Sequence, residues 1–162
     1  MSNINLLKKY AFTYLSKYDS TKKNLIQVLK NKVLKIKDLQ NNERQYLYKS
    51  INIIVGDMES NNIINDKNYA NIKIMYLFKQ GKSENFIKST LRKKGIEENL
   101  IKIVLREFEM NIPDWKIKSA ENYASKKKLG KFGNKKNKNK DLAKMARAGF
   151  NYQVSLKTLG YD

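Results

Sequence analysis

The sequence predicts an all-α fold built from tandem three-helix repeats. Apolar residues recur at intervals of three and four along most of the 162 residues, which is the spacing of one helix face. No long stretch alternates apolar and polar residues as a half-buried β-strand does. Seven glycines and one proline are too few for a turn-rich β protein. We therefore expect three repeats with about nine helices.

The middle repeat, residues 66–105, has the clearest helix boundaries. Side chains that accept hydrogen bonds at helix starts, or acids that suit a positive helix start, alternate with glycines that suit helix ends. In chain order these signals are Asp66, Gly81, Ser83, Gly95 and the pair Glu97–Glu98. They predict three short helices, with Asp66 and Ser83 as N-caps.

Each of these three helices carries an apolar stripe that we expect to face inward. On the first helix the stripe is Tyr69, Ile72, Met75 or Tyr76, and Lys79. On the second it is Phe86, Ile87, Thr90 and Leu91, and on the third Leu100, Ile101, Val104, Leu105 and Phe108.

The first repeat is predicted to hold helices at 4–18, from Thr21 to between Leu34 and Leu39, and at 43–59. Their inward residues include Leu7, Tyr10, Tyr14, Leu25, Leu29, Tyr46, Leu47, Ile51, Ile54 and Val55. The connector 61–65 carries Ile63 and Ile64, both of which we expect to close the core.

An internal repeat supports this division. Thr21, Leu25 and Leu29 match Ser83, Ile87 and Leu91 at an offset of 62 residues, and residues 91–96 match 145–150 at an offset of 54. The predicted domains are 1–64, 65–110 and 111–162. A unit of this size buries little apolar surface alone and depends on its neighbours.

The third repeat contains the strongest charge feature. Pro113 precedes a helix that begins near Trp115 and runs into residues 126–140, which hold eight lysines and no acid. We call residues 126–140 the lysine segment. Its glycine- and asparagine-rich part is predicted to form a flexible loop between the seventh and eighth helices.

The net charge indicates a polyanionic partner. The chain has 34 Lys and Arg against 15 Asp and Glu, a net charge of +19. A field of this size favours nucleic acid or a nucleoprotein. Only four of the cations are Arg, which is typical of an AT-rich genome, but codon bias does not explain the excess of cations over acids. The absence of cysteine, of a signal peptide and of a long apolar run predicts a cytoplasmic protein without membrane contact.

The residue types argue against an enzyme. Without histidine or cysteine, histidine-assisted nucleophiles and ordinary zinc sites are excluded, and no glycine-rich phosphate loop is present. We expect neither a cofactor nor a metal. The paired acids Glu97–Glu98 and Glu107 with Glu109 are expected to stabilise helix starts or to lie in solvent, and the spacing of Asp57, Glu59 and Asp66 does not demand a Mg²⁺ site. Trp115 and Tyr10, Tyr14, Tyr46, Tyr69, Tyr76 and Tyr123 could stack on bases, but their helical spacing favours the core.

Two groups of cations are candidate binding residues. The first is Lys126, Lys127, Lys128, Lys131, Lys135 and Lys136 of the lysine segment; the alternative is a solvated loop with no specific partner. The second is Arg92, Lys93 and Lys94; the alternative is the ordinary preference of helix C-termini for cations.

Taken together, these motifs resemble the RecX family of bacterial recombination regulators. The resemblance runs from about Ala11 to Leu159. It is strongest where an acid-x-x-x-Ala opening, a Gly turn and a basic helix end followed by Gly-Ile occur in order, at residues 66–70, 81 and 87–96. Asp114-Trp115 and Arg147-Ala148-Gly149-Phe150 are similar to the family's third repeat. The basic residues of the first repeat are Lys where the family usually has Arg, and the connector 61–65 also departs from the family pattern.

The resemblance implies an elongated, curved helical protein without catalytic residues. It implies a modulator, expected to be an inhibitor although activation is left open, that binds in the groove of the RecA–DNA filament across neighbouring protomers and limits filament growth, ATP hydrolysis and strand exchange. Direct contact with DNA phosphates and a monomeric state are expected. The alternative is a stand-alone, sequence-independent DNA- or RNA-binding protein, and an enzyme using scattered carboxylates is a third possibility.

Overall fold

The fold is known from a computed structural model that describes residues 2–162. These residues form nine α-helices and one 3-10 turn, and none of them lies in a strand, so the all-α prediction is confirmed. The helices are α1 (Asn3–Leu15), α2 (Lys22–Leu34), α3 (Asn41–Ser60), α4 (Asp66–Lys79), α5 (Glu84–Lys93), α6 (Glu98–Asn111), α7 (Trp115–Lys127), α8 (Lys138–Arg147) and α9 (Tyr152–Leu159). The predicted repeat boundaries stay a prediction.

The chain forms two compact units, of which the first comprises the residues up to Tyr69 together with Lys94–Ile96. Its core is built from the inward faces of α1, α2 and α3. The buried residues are Leu7, Ala11, Leu25, Leu29, Val33, Leu47, Ile51, Ile54, Val55, Met58 and Ile64. Ile64 closes this core as expected, whereas Ile63 is 43% exposed, so the prediction was wrong for Ile63.

The second unit comprises Ala70–Lys93 and Glu97–Asp162. The aromatic rings of Phe78, Phe108 and Trp115 pack edge to face, with centroids 5.4 to 6.5 Å apart. Trp115 is fully buried, which confirms its predicted core position. A second cluster joins α7, α8 and α9 through Ala120, Ala124, Leu129, Met145, Phe150 and Leu159.

A hydroxyl N-cap makes the same two hydrogen bonds in each unit. In the first unit the Thr21 hydroxyl accepts from the amide of Asn24 and donates to the carbonyl of Lys94. In the second unit the Ser83 hydroxyl accepts from the amide of Phe86 and donates to the carbonyl of Ala148, at 2.8 Å. These bonds recur at the two sequence offsets of the internal repeat, because each hydroxyl caps a helix and also fixes a carbonyl just before a positive-φ glycine.

The N-cap predicted for α4 was wrong. Asn65, not Asp66, accepts a hydrogen bond from the amide of Asn68, at 2.9 Å. Asp66 is the first helical residue, and its carboxylate accepts from the amide of Lys22 in the same unit. Asp66 therefore holds the start of α2 instead of capping its own helix.

The inward face of α4 also differs from the prediction. The residues that α4 buries are Ala70, Ile74 and Leu77. Ile72 is 59% exposed, and Tyr76 is 54% exposed. On α3, Tyr46 was likewise predicted to be buried but is 61% exposed. Two of the six tyrosines assigned to the core therefore lie on the surface.

Candidate functional site

The lysine segment comprises the end of α7, the connection that follows it and the first residues of α8. α7 ends at Lys127, and Lys128 adopts the left-handed conformation with φ +53°. The chain then forms a 3-10 turn over Gly130–Phe132, and α8 begins at Lys138, inside the stretch predicted to be a loop. Leu129 is buried between the exposed lysines and anchors the segment to the core of the second unit.

A buried carboxylate fixes this turn. Asp141 is 5% exposed, and its Oδ2 accepts hydrogen bonds from the amide of Gly130 and the hydroxyl of Tyr161, both at 2.9 Å. Burial, together with the bond to Asp141, raises the pKa of the Tyr161 hydroxyl. The acid nearest to the lysine segment in the chain is therefore turned inward, where it orders the turn without neutralising the exposed lysines.

The six predicted lysines of the segment are all exposed. Lys131 lies 3.9 Å from a carboxylate oxygen of Glu121 and above the ring of Phe132. The other five form no ion pair with any residue of the described chain; they are Lys126, Lys127, Lys128, Lys135 and Lys136. The segment thus presents cations that are free to meet an external anion.

The second predicted group is electrostatically different. Arg92 donates two hydrogen bonds of 2.8 Å, from Nε and Nη2, to the carboxylate of Glu98. This pairing raises the pKa of Arg92 and lowers the pKa of Glu98. Lys93, in the same unit, is exposed without an ion pair to any of residues 2–162. Lys94 belongs to the first unit and is exposed, and its carbonyl accepts a hydrogen bond from the Thr21 hydroxyl. Arg92 is thus already compensated, and Lys93 and Lys94 are the available cations of this group.

A polar cleft of about 110 Å³ lies at the N-terminus of α5, lined in part by Ser83, Glu84, Lys116 and Asn151. Glu84 is bridged by Lys88 at 2.7 Å and by Lys116 at 3.0 Å. Burial by itself raises the pKa of Glu84, but these two hydrogen bonds outweigh it and lower the pKa below its ordinary value. The cleft's charges therefore satisfy one another, which is the arrangement of a structural network.

Among the residues that the structure describes, no group of three or more His, Cys, Asp or Glu is placed to hold a metal ion. No helix within the same residues is long and apolar enough to cross a bilayer.

The sequence interpretation missed Asp141 and Tyr161 as the anchors of the lysine segment. It also missed Asn137, whose side chain accepts from the amide of Lys140 and caps α8. Asn137 was recognisable as one of the residue types that cap helices. Nothing local marked Asp141, because its partners lie 11 and 20 residues away in the chain.

Comparisons with known proteins agree with this architecture. No protein-family model matches the chain. The regulatory protein RecX of Myxococcus xanthus (strain DK1622) is 30% identical, over 94% of this chain and 83% of that protein. The crystal structure of RecX from Lactobacillus salivarius is similar with a TM-score of 0.73, covering 97% of this chain and 94% of that chain; at 22% identity this likeness shows a shared fold. Because the identity to the Myxococcus protein extends over nearly the whole chain, the chain belongs to the RecX family.

Proposed function

We propose that this chain is a non-enzymatic regulator of the RecA recombinase. It binds in the groove of the RecA–DNA filament across neighbouring protomers and limits filament growth, ATP hydrolysis and strand exchange. In this way it regulates DNA repair and homologous recombination. The proposal follows the role implied by family membership.

The observation that carries the proposal is the free charge of the lysine segment. Five exposed lysines without ion pairs in the described chain lie at the end of α7 and in the connection to α8, on either side of the turn that buried Asp141 holds in place. Lysine is a compact, mobile point charge that suits phosphate oxygens without reading sequence. A protein that must bind a filament anywhere along its DNA needs this kind of contact.

A second candidate function is sequence-independent binding of naked DNA or RNA without a protein partner. The same five lysines favour it, because phosphate contacts alone provide non-specific affinity. The two functions differ in what happens when RecA is present: a filament regulator prefers the RecA–DNA filament to bare DNA, whereas a simple binder has lower affinity for DNA that RecA already covers.

The test is a binding titration with the fluorescently labelled full chain. RecA filaments on single-stranded DNA and the same DNA alone are the two targets, at equal salt. The proposal predicts tighter binding to the filament. Equal or weaker binding to the filament would replace it with the stand-alone binder.

Two charge-reversal variants test whether the lysine segment contacts the filament. Lys126→Glu/Lys127→Glu/Lys128→Glu is expected to weaken filament binding. The matched control Lys8→Glu/Lys9→Glu/Lys30→Glu makes the same change of net charge at exposed positions of the first unit. Equal losses in the two variants would mean that net charge, and not the lysine segment, governs binding.

A further inference from the structure

The outward face of α4 is apolar where a surface helix is ordinarily polar. Ile72 is 59% exposed, Met75 37% and Tyr76 54%, although the opposite side of the helix is buried. These three positions are separated by three and four residues, so they share one face of the helix. Single exposed apolar residues need no explanation, but a contiguous apolar face indicates an interaction surface.

The charged residues in this part of α4 have one sign. Residues 72–79 contain Lys73 and Lys79 and no acid. The Nζ of Lys73 lies 5.6 Å from the centre of the Tyr76 ring, so a cation adjoins one residue of the apolar face. Neither lysine has an ion pair within residues 2–162. The face therefore complements an apolar surface that is bordered by acidic groups.

The side chains favour a protein over a nucleic acid as the occupant. Bases stack on aromatic rings, and of the three residues only Tyr76 offers one. Aromatic residues and methionine are enriched at the centres of protein interfaces, whereas lysine is excluded from the centres and lies at the rims. Met75 and Tyr76 of the α4 face are of the kinds enriched at such centres.

We propose that the outward face of α4 docks on an acid-bordered apolar patch of a protein partner. The identity of that partner rests on the proposed function, which makes it a RecA protomer. The α4 face then supplies protein contact while the lysine segment supplies phosphate contact. Loss of the α4 face is expected to weaken the action on RecA without weakening the binding of bare DNA.

The test compares two full-length double variants that each remove one exposed Ile and one exposed Tyr from the second unit. Ile72→Ala/Tyr76→Ala alters the α4 face. Ile103→Ala/Tyr152→Ala alters positions that are 49% and 61% exposed on α6 and α9. The measurements are the concentration that halves RecA's DNA-dependent ATP hydrolysis, the affinity for bare single-stranded DNA, and the thermal unfolding midpoint.

The α4 variant is expected to need about tenfold more protein for half-inhibition, the effect of losing a central interface residue. Its affinity for bare single-stranded DNA is expected to change less than about twofold. The half-inhibiting concentration and the DNA affinity of the control variant are also expected to change less than about twofold, since Ile103 and Tyr152 lie outside the proposed contact. Unchanged inhibition by the α4 variant, an equal loss in the control, or an equal loss of DNA affinity would overturn the α4 proposal.

A second variant covers the case in which the apolar substitutions disturb folding. Lys73→Glu/Lys79→Glu leaves the apolar residues in place and reverses the charge beside them. We expect it also to weaken inhibition, and unimpaired inhibition by a folded protein would contradict the acid-bordered partner. If the wild-type chain neither binds RecA nor slows its ATP hydrolysis, the proposed function itself is wrong. The wild-type measurement alone therefore distinguishes that outcome from failure of the α4 proposal.

Discussion

The replacement Asp141→Ala tests whether one buried carboxylate holds the lysine segment in place. Asp141 is 5% exposed, and the amide of Gly130, which donates to it, is also buried. Alanine removes the acceptor, and its methyl group provides no other. The Gly130 amide then loses its hydrogen bond where water has little access.

The expected loss of stability follows from these contacts. A hydrogen bond to a charged group contributes about 1.5 to 3 kcal/mol, and leaving a buried donor without a partner costs about 1 to 3 kcal/mol. These two figures describe largely the same loss, so we expect the free energy of unfolding to fall by about 2 to 3 kcal/mol. In a chain of this size that lowers the unfolding midpoint by roughly 4 to 12 °C.

The assay is urea unfolding followed by far-ultraviolet circular dichroism. Asp57→Ala is the matched control, because Asp57 is exposed on α3 and its side chain makes no hydrogen bond or ion pair with the described residues. It is expected to change the free energy of unfolding by less than about 0.5 kcal/mol. Asp141→Asn, which keeps an acceptor oxygen, is expected to fall between the two. A loss below about 0.5 kcal/mol for Asp141→Ala would refute the anchoring role.

Four further predictions concern caps, charge and pH. Ser83→Ala and Thr21→Ala should each lower the free energy of unfolding by roughly 1 to 3 kcal/mol, because each removes a cap and leaves a carbonyl without its donor; urea titration would contradict this if either variant matched the wild type. The lowered pKa of Glu84 contributes stability that is present above its unfolded pKa and is lost as pH falls through its lower folded value; thermal midpoints across acidic pH should show a smaller decline for Glu84→Gln, and parallel curves would contradict it. Reversing Lys126–Lys128 should weaken filament binding at least about tenfold at low salt, and binding isotherms that overlap with the wild type would exclude the contact. The same variant should also show a shallower dependence of binding on salt, because fewer counterions are released, and an unchanged slope would oppose direct phosphate contact.

The sequence predicted the helices well where boundary signals and apolar spacing agreed. Ser83 and Thr21 are the N-caps that their positions indicated, and the core residues Leu25, Leu29 and Ile51 are buried as expected. At these positions local hydrogen bonding and tertiary packing favour the same conformation, so the local sequence pattern is enough to predict it.

The prediction for α4 failed because its sequence defines no single apolar face. Six of the seven residues from Ile72 to Phe78 are apolar, so residues on both sides of the helix could have been buried. Packing selected Ala70, Ile74 and Leu77. The N-cap prediction failed because Asn65 and Asp66 are adjacent residues of types that both cap helices well. Asn65 caps α4, whereas the carboxylate of Asp66 accepts a hydrogen bond from the amide of Lys22.

Part of the candidate site could be predicted from the sequence, and part could not. The lysine segment was recognisable because the density of charge is a property of the sequence itself. Its ordering by Asp141 was not, because that depends on which carboxylate the fold buries against Gly130 and Tyr161. The ion pair between Arg92 and Glu98 also required the structure, since the two residues are six positions apart and lie on different helices.

The most direct test of the central claim is the rate of RecA's ATP hydrolysis on single-stranded DNA with this chain added at substoichiometric amounts. DNA is kept in large excess over the added protein, so that the protein cannot mask it. We predict that the rate falls at a small ratio of chain to RecA, because each bound chain acts on the filament itself. A rate that falls only when the chain saturates the DNA would contradict filament regulation and favour the stand-alone binder.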